Sequence, residues 1–216
     1  RSRAEVLWRS ACGGIKYLTR KIHSDSPAET KFREEMLVSE PVQNAQSAAP
    51  MLEIRALARR LGPNFSLGPM DLSIAPREIV CLVGHSGCGK STLLRLIAGI
   101  DRPDSGTLRL DGRVLAGPGV FVEPEQRNIG FVFQEPTLMP WATVFDNVYL
   151  PLRLGGMSRK DAAPRVEEVL SQVGLSKFAD AYPRELSGGM KMRVSIGRGL
   201  VTKPRLLLMD EPFSAL

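Results

Sequence analysis

Residues 84–92 read Gly84-His85-Ser86-Gly87-Cys88-Gly89-Lys90-Ser91-Thr92, a complete loop of the form G-x-x-x-x-G-K-[ST]. The residue types name a ligand. Glycines let successive backbone N–H groups converge on phosphate oxygens, Lys90 brings a charge to the β- and γ-phosphates, and the Ser91 hydroxyl suits Mg²⁺. The flanks agree. Glu78-Ile79-Val80-Cys81-Leu82-Val83 is a short, β-branched-rich apolar run, which predicts a buried parallel strand. Thr92-Leu93-Leu94-Arg95-Leu96-Ile97-Ala98 follows with good helix formers. Strand, glycine loop and helix N-terminus together make an anion site for a nucleoside triphosphate.

The bulk numbers narrow the class. The 216 residues suffice for one domain with a sizeable core, or one domain plus a tail. Hydrophobic content of 43 % and charged content of 24 % are ordinary for a globular chain. No apolar run approaches a bilayer span, so a membrane role must come through a partner. The net charge of +6 is spread along the chain and reads as a mildly basic solvated surface. Cys12, Cys81 and Cys88 are too few and scattered for a disulfide framework or a zinc site, which points to a reducing compartment. Cys81 is expected in the core of its strand. Cys88 is either filler in the phosphate loop or a site of oxidative inactivation, its thiol activated by nearby N–H dipoles.

Residues 1–50 differ from the rest and read as an unassigned, disordered extension or linker, with 39–50 rich in Ser, Gln, Ala and Pro. A short basic helix is conceivable over residues 4–18, interrupted by Gly13-Gly14. Both ends of the chain read as cut. An ordered domain is expected over 51–216. Leu52-Glu53-Ile54-Arg55-Ala56-Leu57 and Met70-Asp71-Leu72-Ser73-Ile74 alternate as half-buried strands do, and residues 106–111 form another, ended by the turn signal Asp111-Gly112. Residues 128–133 make a further strand. A helical subdomain is expected at about 136–185, with Val166, Val169, Leu170 and Val173 on one apolar face and Ser158 as an N-cap. Residues 193–200 are helical again, and 205–209 form a final buried strand.

Two more motifs carry chemistry. Leu206-Leu207-Leu208-Met209 runs into Asp210-Glu211, two acids at a strand end, expected beside the phosphate-loop strand. Asp210 suits Mg²⁺ through water, and Glu211 is placed to deprotonate an attacking water. Leu186-Ser187-Gly188-Gly189-Met190 opens a helix whose start is capped by Ser187 and left bare by the glycines, a second anion site.

The order of phosphate loop, Phe133-Gln134, Leu-Ser-Gly-Gly-Met, apolar strand with Asp-Glu-Pro, and Ser214-Ala215-Leu216 resembles the ATP-binding-cassette ATPases over roughly residues 52–216. The stretch Gln134-Glu135-Pro136-Thr137-Leu138-Met139-Pro140-Trp141, with Val144, Asp146, Asn147 and Val148, looks most like the ATPase subunits of bacterial importers of nitrate, sulfonates and taurine. The resemblance implies an α/β P-loop NTPase fold, with a mixed sheet core and an inserted helical subdomain, incomplete at the C-terminus. It implies an ATPase that energises solute import with ATP and Mg²⁺. Gly84, His85, Ser86, Gly87, Cys88, Gly89, Lys90, Ser91 and Thr92 would hold ATP from one subunit, and Ser187, Gly188 and Gly189 of a second copy would close on the γ-phosphate. Ser91, Gln134 and Asp210 would serve Mg²⁺, while Glu211, Lys90 and Gln134 would act in catalysis.

The implied partners are a second ATPase copy, transmembrane permease subunits facing residues 136–146, and, indirectly, a periplasmic or lipid-anchored solute-binding protein. No nucleic acid is implied. The implied place is peripheral, on the cytoplasmic face of the inner membrane. The chain departs from the family pattern at Leu61, where an adenine-stacking aromatic is usual and Phe65 could substitute, at Arg77 in place of glycine, and at Met190 in place of glutamine. His23 and His85 are the only histidines, and neither matches the family's γ-phosphate histidine. This predicts weak nucleotide binding and poor turnover by the 216-residue piece, with an unpaired sheet edge. Two other readings stay open: a nucleic-acid-directed ATPase of the same family, marked by salt-sensitive DNA or RNA binding, and a nucleotide-binding module without hydrolysis.

Overall fold

In a computed structural model of the protein, residues 7–10, 16–21, 49–62 and 66–212 are described. Residues 39–48 of the linker expected at 39–50, Phe65 and residues 214–216 lie outside the described residues. The backbone divides into two compact units, Arg1–Lys90 with Pro103–Phe121 and Ser91–Arg102 with Val122–Leu216.

In the first unit, β1 (Leu7–Ser10) and β2 (Lys16–Lys21) pair antiparallel. They stand where the sequence suggests a helix over residues 4–18. Gly13-Gly14 leaves either half too short to nucleate one, and Trp8, Tyr17 and Thr19 favour extended backbone. β3 (Leu52–Arg60) and β4 (Ser66–Ile74) bury alternate apolar residues as expected, with Leu52, Ile54 and Leu57 fully enclosed. β5 (Glu78–Val83) precedes the phosphate loop. β6 (Ser105–Leu110), β7 (Arg113–Gly117) and the short β8 (Val120–Phe121) complete a five-stranded antiparallel sheet of order β4-β3-β6-β7-β8. Asp111 and Gly112 link β6 to β7 with φ of 48° and 78°, the left-handed pair that the Asp-Gly signal anticipates.

β5 is not a buried parallel strand. Its ladder partner is β2, antiparallel, with Lys16 opposite Val83 and Lys21 opposite Glu78. A strand at the edge of a three-stranded sheet alternates in exposure, and Ile79 and Val83 are 52 % and 47 % exposed. Cys81 shares their parity and is exposed, not a core residue.

The second unit opens with α1 (Lys90–Ala98), entered from the phosphate loop, whose Leu93, Leu94, Leu96 and Ile97 are buried. β9 (Ile129–Val132) follows a left-handed Asn128. α2 (Val144–Leu154), α3 (Arg159–Gln172) and α4 (Gly188–Leu200) build an apolar cluster around Val148, Val166, Leu170 and Val194. Ser158 caps α3 as expected, its hydroxyl accepting from the Asp161 N–H. β10 (Leu206–Met209) is half-buried and pairs with β9 in parallel, from Leu206–Ile129 to Met209–Val132. The strand that carries Asp210 has β9 as its hydrogen-bonded neighbour. Gly130 explains how α4 fits this pair: a Cβ there would lie 2.7 Å from the Gly199 carbonyl oxygen.

Candidate nucleotide site

The phosphate loop belongs to the first unit up to Lys90. Gly87 and Gly89 adopt φ of 78° and 103°, which side chains rarely tolerate, so the glycine spacing has a direct backbone cause. The Lys90 ammonium folds onto its own loop, donating to the carbonyls of Gly84 at 2.9 Å and His85 at 3.2 Å. It is poised rather than buried without partners, and a phosphate oxygen can replace these carbonyls. His85 and Ser86 are exposed, whereas Cys88 is 4 % exposed with its sulfur 4.0 Å from Lys90 Nζ. That shelter favours the reading of Cys88 as packing over that of a modifiable thiol.

In the second unit the Ser91 hydroxyl donates to Asp210 Oδ1 at 2.8 Å. Helix and strand ends meet here because β10 runs parallel to β9, and the Asp210 N–H continues the ladder to the Val132 carbonyl at 2.9 Å. Glu211 follows, exposed, with φ of 45°. Such left-handed backbone at a non-glycine residue costs on the order of 1 kcal/mol and clusters at functional sites. Gln134 is exposed in the bend just after β9. Thr92 is half-buried in the first turn of α1. Ser187 caps α4, its Oγ accepting from the Met190 N–H at 3.3 Å, with Gly188 and Gly189 in the first turn.

Among the described residues no three or more His, Cys, Asp or Glu side chains gather as a metal cage. Mg²⁺ bound with a nucleotide keeps several waters and takes few protein oxygens when phosphates supply the rest. The hydroxyl of Ser91 and the carboxylate of Asp210 are such oxygens.

Three polar residues hold segments next to these motifs, and the sequence alone assigns none of them a structural role. Arg127 is 2 % exposed and donates to the carbonyls of Val122, Leu96 and Ile97 at 2.7, 3.0 and 2.8 Å. Burial pulls its guanidinium down to about 10. Arg198, on α4, donates to the carbonyls of Pro136 and Thr137 and to Thr137 Oγ1, each at 3.0 Å, which fastens the segment after Gln134. Its pKa is also lowered by burial. Asn147 is wholly buried. Its amide donates to the carbonyls of Met139, Ala142 and Thr143, and its Oδ1 accepts from the Met139 N–H. Their partners, all but one of them main-chain atoms, identify these roles.

Comparison with known proteins agrees with this geometry. The profile of the family described as ABC transporter matches residues 67–214. The spermidine/putrescine import ATP-binding protein PotA of Nitrosomonas europaea is 49 % identical over 166 residues, 77 % of this chain and 45 % of that protein. The nitrate import ATP-binding protein NrtD of Synechocystis is 49 % identical over 162 residues, 75 % of this chain and 58 % of that protein. The aliphatic sulfonates import ATP-binding protein SsuB 2 of Burkholderia cenocepacia is 46 % identical over 169 residues, 78 % of this chain and 58 % of that protein. The chain spans about half the length of the curated relatives it matches. With a family match over most of its residues, and relatives near half identity, the chain belongs to the ABC transporter family.

Proposed function

We propose that the chain binds and hydrolyses ATP to energise import of a small solute through membrane permease subunits. The observation that carries this reading is the Ser91–Asp210 bond, which joins the head of α1 to the end of β10 across 119 residues of sequence. This pair would hold Mg²⁺, which supplies neutralisation of phosphate charge when bound. The protein's own residues do the remaining work. Residues 84–92 bind the triphosphate through backbone N–H groups. Lys90 exchanges its loop carbonyls for β- and γ-phosphate oxygens. Glu211 orients a water and accepts its proton, and Gln134 contacts that water or the cation.

Ser187, Gly188 and Gly189 act on the ATP of a second copy, so two copies face each other head to tail. Because Ser187 Oγ accepts within its own helix, its proton stays available to a phosphate oxygen. No helix among the described residues is long and apolar enough to cross a membrane. We place the chain peripherally on the cytoplasmic face of the inner membrane, held by the permease, with a solute-binding protein acting from the far side. Trp141, 76 % exposed within residues 136–146, supports that segment as the permease-facing surface. For the solute we favour nitrate, sulfonates or taurine, on the segment 134–148 and the names of two relatives. The relatives named for spermidine and putrescine define the competing class.

Phosphate release by the full-length protein, measured against protein concentration, tests the reading. Steeply concentration-dependent hydrolysis, abolished in Lys90→Ala and Glu211→Gln, is expected. Hydrolysis that survives both substitutions overturns it.

A further inference from the structure

α1 carries a ligand group at one end and a buried cation at the other. At its N-terminal end Ser91 bonds to Asp210. At its C-terminal end the Arg127 guanidinium donates to the carbonyls of Leu96 and Ile97, two acceptors that the helix itself leaves under-used. Gly99, with φ of 84°, ends the helix, and the Ile100 N–H reaches back to the Arg95 carbonyl at 2.9 Å. Gly99 also makes room. A Cβ there would lie 2.8 Å from Arg127 Nη2 and closer still to its Nε and Cζ.

Arg127 lies two residues before β9, and the Asn128 carbonyl between them accepts from the Arg205 N–H at 3.0 Å, just before β10. The two strands run in register, and Asp210 follows β10 directly. The links therefore close a ring: Arg127, α1, Ser91, Asp210, β10, β9 and back to Arg127. A helix gripped at both ends cannot slide along the strands without breaking one grip. A guanidinium fixed by three carbonyls is a stiff anchor, and a cation at a helix C-terminus is also favoured by the helix dipole.

We infer that Arg127 is a positioning residue for the divalent-cation site: by gripping the last carbonyls of α1 it sets the register of that helix along β9 and β10, and so holds the Ser91 hydroxyl against Asp210. The inference rests on the nucleotide reading above. The chemistry recognised is a divalent cation carried by a nucleoside triphosphate.

Calorimetric titration of the full-length protein with ATP, once in EDTA and once in excess MgCl₂, tests it without turnover. In the native protein Mg²⁺ tightens ATP binding. In Arg127→Lys that Mg²⁺-dependent gain falls by about tenfold, as for other outer-shell supports, while ATP affinity in EDTA is unchanged. Gly99→Ala, which pushes on the same guanidinium, gives the same selective loss, and the double substitution adds little to either. An intact Mg²⁺ gain in a folded variant, or equal loss with and without metal, overturns the inference. If Arg127→Lys does not fold, Gly99→Ala decides. If neither folds, Arg127 is a folding residue and the inference is overturned. No ATP binding by the native protein in either buffer is a separate result, which overturns the nucleotide reading and this inference with it.

Discussion

Ser91 Oγ lies 2.8 Å from Asp210 Oδ1, a hydroxyl donating to a carboxylate that sits one residue beyond β10. The bond orients both oxygens before any cation arrives. Asp210→Asn keeps the shape and removes the charge. Its Mg²⁺ requirement for ATP hydrolysis is expected to rise by about 10- to 100-fold, read from rates across a Mg²⁺ titration. Ser91→Ala shifts the same curve in the same direction.

Lys90 separates ligand binding from stability. Its ammonium rests on the carbonyls of Gly84 and His85 in a loop whose His85 and Ser86 are exposed, so water can replace it there. Lys90→Ala is expected to weaken ATP binding by about 10- to 100-fold, the worth of a charge-assisted hydrogen bond, with the thermal midpoint nearly unmoved. Parallel calorimetry and melting curves check this, and a collapse in melting temperature would refute it.

Asn147 behaves in the opposite way. It is wholly buried, and its amide satisfies one N–H and three carbonyls of residues 139–143. Asn147→Ala strands the Met139 N–H and the Ala142 carbonyl, while the Met139 and Thr143 carbonyls keep backbone donors, and should cost about 2–4 kcal/mol of unfolding free energy, seen as a lower urea midpoint at constant slope. ATP binding by the fraction that remains folded should be close to native.

Asp104 supplies the acid dependence. The Arg60 backbone N–H at 2.6 Å, and then the Arg59 guanidinium at 2.8 Å, hold its carboxyl below the ordinary aspartate range. The folded state therefore binds the proton less tightly than the unfolded chain. The contribution to stability is complete above the ordinary aspartate value of the unfolded chain and is lost as pH falls through the lower folded value. Asp104→Asn should be less stable than native near neutrality, and the two should converge in acid, as urea midpoints across that window will record. The pair is half exposed, so the difference is modest.

Much of the site was legible because local chemistry determines it. Gly87 and Gly89 take the left-handed backbone that their spacing implies, Ser158 and Ser187 cap the helices they precede, and Asp111-Gly112 turns the hairpin. Asp210 ends the strand from which it was expected to act. What could not be read depends on which main-chain atoms the folded backbone brings within reach. The apolar run in β5 gives no clue to its neighbour, so neither its antiparallel pairing nor the exposure of Cys81 follows from it. Arg127, Arg198 and Asn147 look like any polar residue in a helix or loop. Their partners are almost all carbonyl oxygens, common to every residue type, so no pattern of side chains announces them.

The stitching of residues 139–143 by Asn147 has one more consequence. Trp141 stands on an arc whose backbone the Asn147 amide pins from within the chain. Docking against this ring withdraws little conformational freedom from the loop. In the proposed contact with a permease this surface serves as a preformed template, so affinity would rest on shape match and not on folding upon contact.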